Sequence, residues 1–163
     1  MKSLLAFVLW LSSVSYAADV PRAVDLQADG VGALAASQPV IVFYSATYCE
    51  YCDAVRAEFF QHLLSDPRYA SRIILREVVI DSDYNLTDFS GKRASHRSFA
   101  GLNGVQLVPT VRFVDGHGNN LADPMIGVTT MDYYGWYLNK RINRSINQLI
   151  GSGEAVNQSS DQS

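Results

Sequence analysis

The chain has 163 residues, of which 48% are hydrophobic and 18% are charged, and its formal net charge is −3 at pH 7. This composition fits one compact globular domain and excludes a disordered or fibrous protein. Because Lys and Arg never form a run longer than the pairs Lys92-Arg93 and Lys140-Arg141, we expect no nucleic acid partner.

The N-terminal residues have the pattern of a secretory signal peptide. Lys2 precedes an apolar run over residues 4–11, and small and polar residues follow up to Ala17. The pattern predicts export to the periplasm and removal of residues 1–17. The alternative is a membrane anchor, but the apolar run is much shorter than the roughly 20 residues that cross a bilayer.

The first elements predicted after the signal peptide are a loose helix and a buried strand. A weak helical stripe over residues 19–38 consists of Val24, Leu34 and Ala35 and is interrupted at Gly30 and Gly32. The β-branched and aromatic run at 40–44 predicts a strand that is buried on both faces. We therefore place this strand at the centre of a sheet.

A helix and a second strand follow the central strand. Apolar residues recur every three or four positions, which predicts a helix that begins at or just after Cys49 and ends before Asp66-Pro67. The buried positions predicted for it are Cys52, Val55, Phe59 and Leu63. Apolar triplets at 73–75 and 78–80, which flank Arg76 and Glu77, predict a strand over 73–81. Strand, helix and strand together indicate a right-handed parallel crossover.

The second half of the chain predicts an antiparallel hairpin and a final helix. Residues 82–106 form a long polar connection with a short helix from Ser95 to Leu102, and strands at 110–114 and 125–128 flank a turn. The last helix begins near Thr130, ends at Gly151 and buries Leu138, Ile142, Ile146 and Leu149.

The predicted order of elements is βαβ followed by ββα, an α/β fold with a mixed central sheet and helices on both faces. We assign residues 18–151 to this single domain. The polar residues 152–163 lack large apolar side chains, and we expect them to form a disordered tail.

Cys49 and Cys52 are the only cysteines of the chain, and they stand at the predicted start of a helix. A helix N-terminus favours a thiolate at Cys49, so Cys49 is the predicted attacking group and Cys52 the resolving group. Two other interpretations exist. A structural disulfide would close a very short loop and stabilise little, and a zinc site would need two more ligands, although His62, His96 and His117 have no ligand at short spacing.

The segment from Val40 to Cys52, together with Val108-Pro109-Thr110 and the Asp115-Gly116 turn, resembles the thioredoxin superfamily across most of the mature chain. The long segment from Asp88 to Val105 resembles the exported thioredoxins associated with bacterial sulfur oxidation. The resemblance implies a thioredoxin-like fold and a cis Pro109 beside the cysteine pair. It also implies that the backbone of Val108 binds an extended substrate segment.

The chain departs from the thioredoxin pattern around the cysteines. The buried Asp that many thioredoxins carry in the central strand is replaced by Phe43, and the neighbouring-strand position that is usually Lys is Glu77. We therefore expect Glu77, or a water it holds, to accept the proton of Cys52; the alternative is that Glu77 faces solvent on an alternating strand. Tyr48 replaces the usual Trp.

Glu50 and Tyr51 stand between the cysteines in place of the usual Gly-Pro. The carboxylate of Glu50 disfavours a thiolate at Cys49, which predicts a reducing couple.

These features predict a periplasmic thiol-disulfide oxidoreductase that reduces protein or sulfur-carrier disulfides. Its expected partners are a disulfide-containing protein substrate and a membrane electron donor or thiol, and we expect a monomer that needs no metal and no cofactor besides the Cys49-Cys52 disulfide. The alternatives are a thiol oxidase or isomerase and a non-catalytic binding module.

One aromatic cluster has no place in this interpretation. Tyr133, Trp136 and Tyr137 begin the last helix and cannot all share its buried face. They either pack against the end of the sheet or form a surface that binds a partner.

Overall fold

The computed structural model describes residues 19–160, so the predicted signal peptide over residues 1–17 lies outside the described part of the chain. The strands are β1 Val40–Ser45, β2 Ile74–Val79, β3 Asn85–Thr87, β4 Arg93–Ser95, β5 Thr110–Val114 and β6 Asn120–Ile126. The helices are α1 Leu26–Ala36, α2 Glu50–Val55, α3 Gln61–Ser65, α4 Pro67–Ala70, α5 His96–Leu102 and α6 Met131–Ser160.

Four strands form the central sheet in the order β2-β1-β5-β6. Strands β1 and β2 are parallel, whereas β5 is antiparallel to both β1 and β6. Every residue of β1 is buried, as expected for a β-branched and aromatic strand that is covered on both faces. The predicted central strand, the antiparallel hairpin and the mixed α/β sheet are confirmed.

The sheet separates two hydrophobic clusters. One includes Phe43, Cys52 and Leu138 and therefore lies between the sheet and helices α2 and α6. The other includes Leu26, Val42 and Phe99 and lies on the opposite face, under α1 and α5. The redox helix thus packs against one face of β1, and the connection between β2 and β5 covers the other.

A π-helical turn, Arg56–Phe60, joins α2 to α3 and was not predicted. A π turn contains more residues than an α turn, so the residues after it are displaced around the helix axis. As a result Phe60 is fully buried, whereas Phe59 is only partly buried. The prediction of Phe59 as the third core position is wrong by one residue for this reason.

Helix α1 is uninterrupted, contrary to the sequence prediction. It begins after Asp25, whose carboxylate accepts a hydrogen bond from the backbone N–H of Ala28, an N-cap arrangement that stabilises a helix start. Its buried residues are Leu26, Gly30 and Ala33, and Val24 and Leu34 of the predicted stripe are exposed. Gly30 is part of the helix, and the absence of a side chain at this position allows the backbone of Gly116 to pack against it.

Helix α6 does not end at Gly151. It continues to Ser160, over most of the segment predicted as a disordered tail. Gly151 lacks the positive φ that a glycine C-cap requires, and residues 152–160 include the helix-compatible Glu154 and Ala155. None of the helices within residues 19–160 combines the length and apolarity needed to cross a bilayer.

The segment before α1 pairs with β2, which is an edge strand of the central sheet. The backbone N–H of Glu77 donates to the carbonyl of Pro21, and the N–H of Ala23 donates to the carbonyl of Glu77, both at 2.8 Å. Strands β3 and β4 form a separate two-stranded sheet within the connection that was predicted as polar. The short helix predicted inside this connection is confirmed as α5.

Candidate active site

Cys49 and Cys52 form a disulfide at the N-terminus of α2, with their Cα atoms 5.2 Å apart. Cys49 is the N-cap residue, and its sulfur accepts a hydrogen bond from the backbone N–H of Cys52 at 3.2 Å. Cys49 is half-buried, whereas Cys52 is fully buried. A thiol at Cys49 would therefore meet a solvent-borne partner first, and a thiol at Cys52 would remain behind it.

The loop that presents Cys49 is held by Asp81, which the sequence interpretation missed. The carboxylate of Asp81 accepts hydrogen bonds from the backbone N–H and the hydroxyl of Thr47, at 3.0 and 3.1 Å. Because β1 and β2 are parallel, the residues after their carboxyl ends meet at the same edge of the sheet. That rule could have predicted a contact between the segment after β2 and this loop.

The side chains that flank the cysteines are exposed. Tyr48 is 96% exposed and Tyr51 is 63% exposed, and Glu50 is exposed as well. Two uncovered aromatic rings beside a reactive pair supply apolar area to a protein that approaches it.

The Val108–Pro109 peptide bond is cis. Pro109 is buried and Val108 is half-buried. Val108 packs against the same hydrophobic cluster as Cys49, and the carbonyl of Pro109 accepts a hydrogen bond from the backbone N–H of Gly127 at 2.8 Å. Because β1 and β5 are antiparallel and Tyr44 pairs with Thr110, the cysteine loop after β1 and the proline loop before β5 lie at the same end of the sheet.

Glu77 is buried, with 8% of its surface exposed, so the interpretation in which it faces solvent is wrong. It stands opposite Phe43 in the parallel register of β1 and β2. Its Oε1 accepts hydrogen bonds from the hydroxyl of Ser45 and from the guanidinium of Arg56, the latter at 2.6 Å. In the described part of the chain its second carboxylate oxygen has no hydrogen-bond partner.

Arg56 is the residue of this network that sequence reasoning did not find. It follows Cys52 by one helical turn, and its guanidinium binds Glu77 and also Asp53, with Asp19 at 3.9 Å. Arginine suits this place because its planar fork can donate to two carboxylates at once. Burying Glu77 beside Arg56 also avoids leaving an unpaired charge under the sheet.

A family profile described as a thioredoxin-like domain matches residues 26–142, which is more than half of the chain. The chain belongs to the thioredoxin-like family. The match includes Cys49, Cys52, Glu77 and Pro109, so the oxidoreductase domain and its Cys-x-x-Cys disulfide lie within the family region.

Solved structures support the same fold for this thioredoxin-like domain. The chain is similar to the DsbH oxidoreductase with a TM-score of 0.52 and 15% identity, covering 85% of this chain and 95% of that one. It is similar to mitochondrial thioredoxin 3 from Saccharomyces cerevisiae with a TM-score of 0.51 and 14% identity, covering 76% and 93%. No curated protein matches the sequence.

The histidines of the thioredoxin-like domain do not join the cysteine pair. His96 is fully buried, and its Nδ1 accepts a hydrogen bond from the N–H of Val79 at 3.0 Å while its Nε2 lies 2.8 Å from the carbonyl of Ala23. His62 and His117 are exposed. Within residues 19–160, no group of three or more His, Cys, Asp or Glu could hold a metal ion.

Proposed function

We propose that this domain is an exported thiol-disulfide reductase that acts on protein or sulfur-carrier disulfides through Cys49. The observation that carries the proposal is the disulfide between a half-buried N-cap cysteine and a fully buried second cysteine in a thioredoxin-like domain. The helix N-terminus favours a thiolate at Cys49. The two cysteines thus differ in both access and reactivity, as an attacker and a resolver must.

The proposed cycle begins with both cysteines reduced. The Cys49 thiolate attacks one sulfur of the substrate disulfide, which forms a Cys49–substrate disulfide and releases the other substrate sulfur as a thiolate. Cys52 loses its proton and attacks the Cys49 sulfur, which releases the second substrate thiolate and forms the Cys49–Cys52 disulfide. Two electrons pass to the substrate, and a thiol or a membrane electron donor restores the dithiol.

Glu77 is the proposed acceptor of the Cys52 proton, directly or through a water. It is a buried carboxylate on the face of the sheet that packs against α2, where Arg56, one turn beyond Cys52, donates to it. Phe43 provides no acid in the central strand, so the base must come from the neighbouring strand. The carboxylate oxygen without a partner is the atom we assign to this transfer.

The residue that follows Cys49 supports the proposal that the domain reduces its substrates. Glu50 places a carboxylate next to Cys49, which opposes the effect of the helix N-terminus and destabilises the thiolate form. Family members that oxidise their substrates instead stabilise the reduced form. Replacing Glu50 with Gln is expected to raise the reduction potential, as measured by titration against glutathione, whereas Glu58→Gln on the exposed side of the π turn leaves it unchanged.

The periplasmic location and the partners belong to the proposal. The N-terminal pattern of residues 1–17 supports export. The backbone of Val108 beside the cis Pro109 provides the donor and acceptor that hold an extended substrate segment. The link to sulfur oxidation rests on the resemblance of residues 88–105 alone.

Insulin reduction tests the activity. The wild-type domain, with dithiothreitol as the reductant, should accelerate insulin precipitation, and Cys49→Ser should return it to the rate without protein. A binding module would show no acceleration in either form. If the wild type is active but its potential matches that of a strong oxidant such as DsbA, about −120 mV, the direction of the proposal is wrong and the oxidase alternative holds.

A further inference from the structure

Helix α6 carries three exposed aromatic residues near its start, and β6 ends in an exposed apolar residue. Tyr133, Trp136 and Tyr137 are 64%, 57% and 47% exposed, and Ile126 at the end of β6 is 62% exposed. These side chains are largely exposed, although Leu138 of the same helix is buried. Monomeric proteins rarely leave such a patch without a use.

Ile126, Tyr133 and Tyr137 line part of a groove between β6 and α6. A cavity of about 340 Å³ lies between Gly127 and Arg141, and a second of about 180 Å³ shares Tyr137 and Arg141 with it. A third of about 250 Å³ shares Arg144 with the second and reaches Gln148. The helix rises about 22 Å between residues 133 and 148, which is the length of roughly seven extended residues.

The groove begins at the redox site. Gly127 lines its first cavity, and the N–H of Gly127 donates to the carbonyl of Pro109. Leu107 precedes the cis-proline segment and is 55% exposed. Its side chain packs beside Gly127, because a Cβ atom added to this glycine would lie 3.3 Å from Leu107 Cδ2. A peptide segment held by the Val108 backbone can therefore continue into the groove.

The charge of the groove is opposite to that of the chain. Its lining includes Lys140, Arg141 and Arg144, and among residues 19–151 the only acidic residue that lines the three cavities is Asp123, although the chain as a whole has a net charge of −3. Lys140 lies over the Trp136 ring at 4.8 Å and Arg141 over the Tyr137 ring at 5.6 Å. In the described part of the chain, Arg144 has no ion-pair partner.

We propose that this β6–α6 groove binds the segment that flanks the reactive cysteine of the disulfide partner, and that this segment is acidic and carries a large aromatic or aliphatic side chain. The apolar side chain packs against Tyr133 and Tyr137 in the cavity next to the redox site, and the acidic stretch lies along Arg141 and Arg144. The inference rests on the proposed reductase function. A lipid surface fits less well, because linked concave cavities accommodate an extended peptide rather than a flat headgroup layer.

Two synthetic peptides test the groove. Each peptide contains one cysteine joined by a disulfide to thionitrobenzoate, whose release is followed by absorbance. The acidic peptide has a Trp and three Glu beside the cysteine. The basic peptide has a Ser and three Lys at the same positions. Each is made with the extension on either side of the cysteine. The wild type should reduce the preferred acidic peptide with a kcat/KM about tenfold higher than the basic one at low salt, and added salt should diminish the difference.

Variants locate the effect. The variants Arg144→Glu and Arg141→Glu/Arg144→Glu should remove the preference for the acidic peptide. In the described part of the chain, the Arg144 side chain makes no hydrogen bond or ion pair that the first variant would break. The double variant Tyr133→Ser/Tyr137→Ser should reduce the preference. The charge-matched control Arg72→Glu/Arg93→Glu changes two exposed arginines outside the groove and should leave it unchanged. Each peptide rate is divided by the rate of the same variant with the small uncharged disulfide 2-hydroxyethyl disulfide, which separates a general loss of redox activity from a loss of peptide selectivity.

Three results would overturn the proposal. If the wild type reduces both peptides equally but reduces the small disulfide normally, the groove does not select substrates and the reductase function still stands. If it reduces neither peptide nor the small disulfide, the reductase function itself fails. If Arg144→Glu leaves peptide selectivity intact but abolishes binding to phosphatidylglycerol vesicles, the groove is a membrane contact.

Discussion

At the scale of single residues, the cysteine pair was predictable because it combines a rare residue type, a fixed spacing and a helix start. Glu77 was a candidate from its alignment alone, and its burial and its bonds to Arg56 and Ser45 came only from the folded chain. Arg56 was not predictable, because an Arg inside an amphipathic helix looks like any solvent-facing residue. Its role depends on the register of β2 against β1, which spans separate parts of the sequence.

Glu77→Gln should slow the second half of the reaction. The amide cannot take the Cys52 proton, so we expect the mixed disulfide to resolve about 100-fold more slowly near neutral pH, with the loss diminishing as the pH rises and hydroxide takes over. Stopped-flow measurement of mixed-disulfide decay against pH checks this. Glu58→Gln, an exposed carboxylate on the same helical segment, is the control. Identical pH profiles for Glu77→Gln and the wild type would exclude Glu77 as the acceptor.

At the scale of elements, existence and type were predictable, whereas boundaries and local irregularities were not. The β-branched and aromatic run at 40–44 predicts a buried strand, because the side chains of a strand that is covered on both faces are mostly apolar. The π turn leaves no such pattern, since Phe59 and Phe60 are both aromatic and either could face the core. The structure settles the choice in favour of Phe60, which lies 4.7 Å from the Phe43 ring.

Substitution of the two phenylalanines tests the π turn. Phe60→Ala should lower the free energy of unfolding by about 3–5 kcal/mol, because it leaves a cavity under β1. Phe59→Ala should cost clearly less, since Phe59 is only partly buried against Tyr134. Denaturant unfolding of both variants gives the comparison, and a larger loss for Phe59→Ala would mean that the helix continues in α-helical register.

At the scale of the whole molecule, the arrangement of helices on both faces of a mixed sheet followed from the order of elements. The links between distant segments did not, and His96 is the clearest example. Its ring joins the N-terminal segment, β2 and α5 through Ala23 and Val79, and burial lowers the pKa of His96 from the usual 6.5. A histidine at the start of a short helix in a long polar connection carries no sequence signal for such a position.

Acidification should therefore destabilise the domain through His96. The unfolded chain binds a proton near pH 6.5, whereas the folded chain keeps the ring neutral to lower pH, so the stabilisation is complete above pH 6.5 and is lost as the pH falls below it. The limiting slope for one proton is about 1.4 kcal/mol per pH unit. Arg22, Glu77 and Tyr84 are the other titratable groups near the ring.

Unfolding free energies at pH 7.5 and 5.5 check this expectation. The stability advantage of the wild type over His96→Asn should shrink between the two values. An advantage over His96→Asn that is constant or grows on acidification would mean that the buried ring accepts a proton in the folded state.

The central claim is that Cys49 attacks and Cys52 resolves, and trapping of the covalent intermediate tests it most directly. The Cys52→Ser and Cys49→Ser variants are reduced, mixed with a peptide disulfide and examined by intact-protein mass spectrometry. We predict a stable mixed disulfide on Cys49 in Cys52→Ser and almost none in Cys49→Ser, because the remaining sulfur is then buried. Adduct formation confined to Cys49→Ser, or absent from both variants, would contradict the assignment.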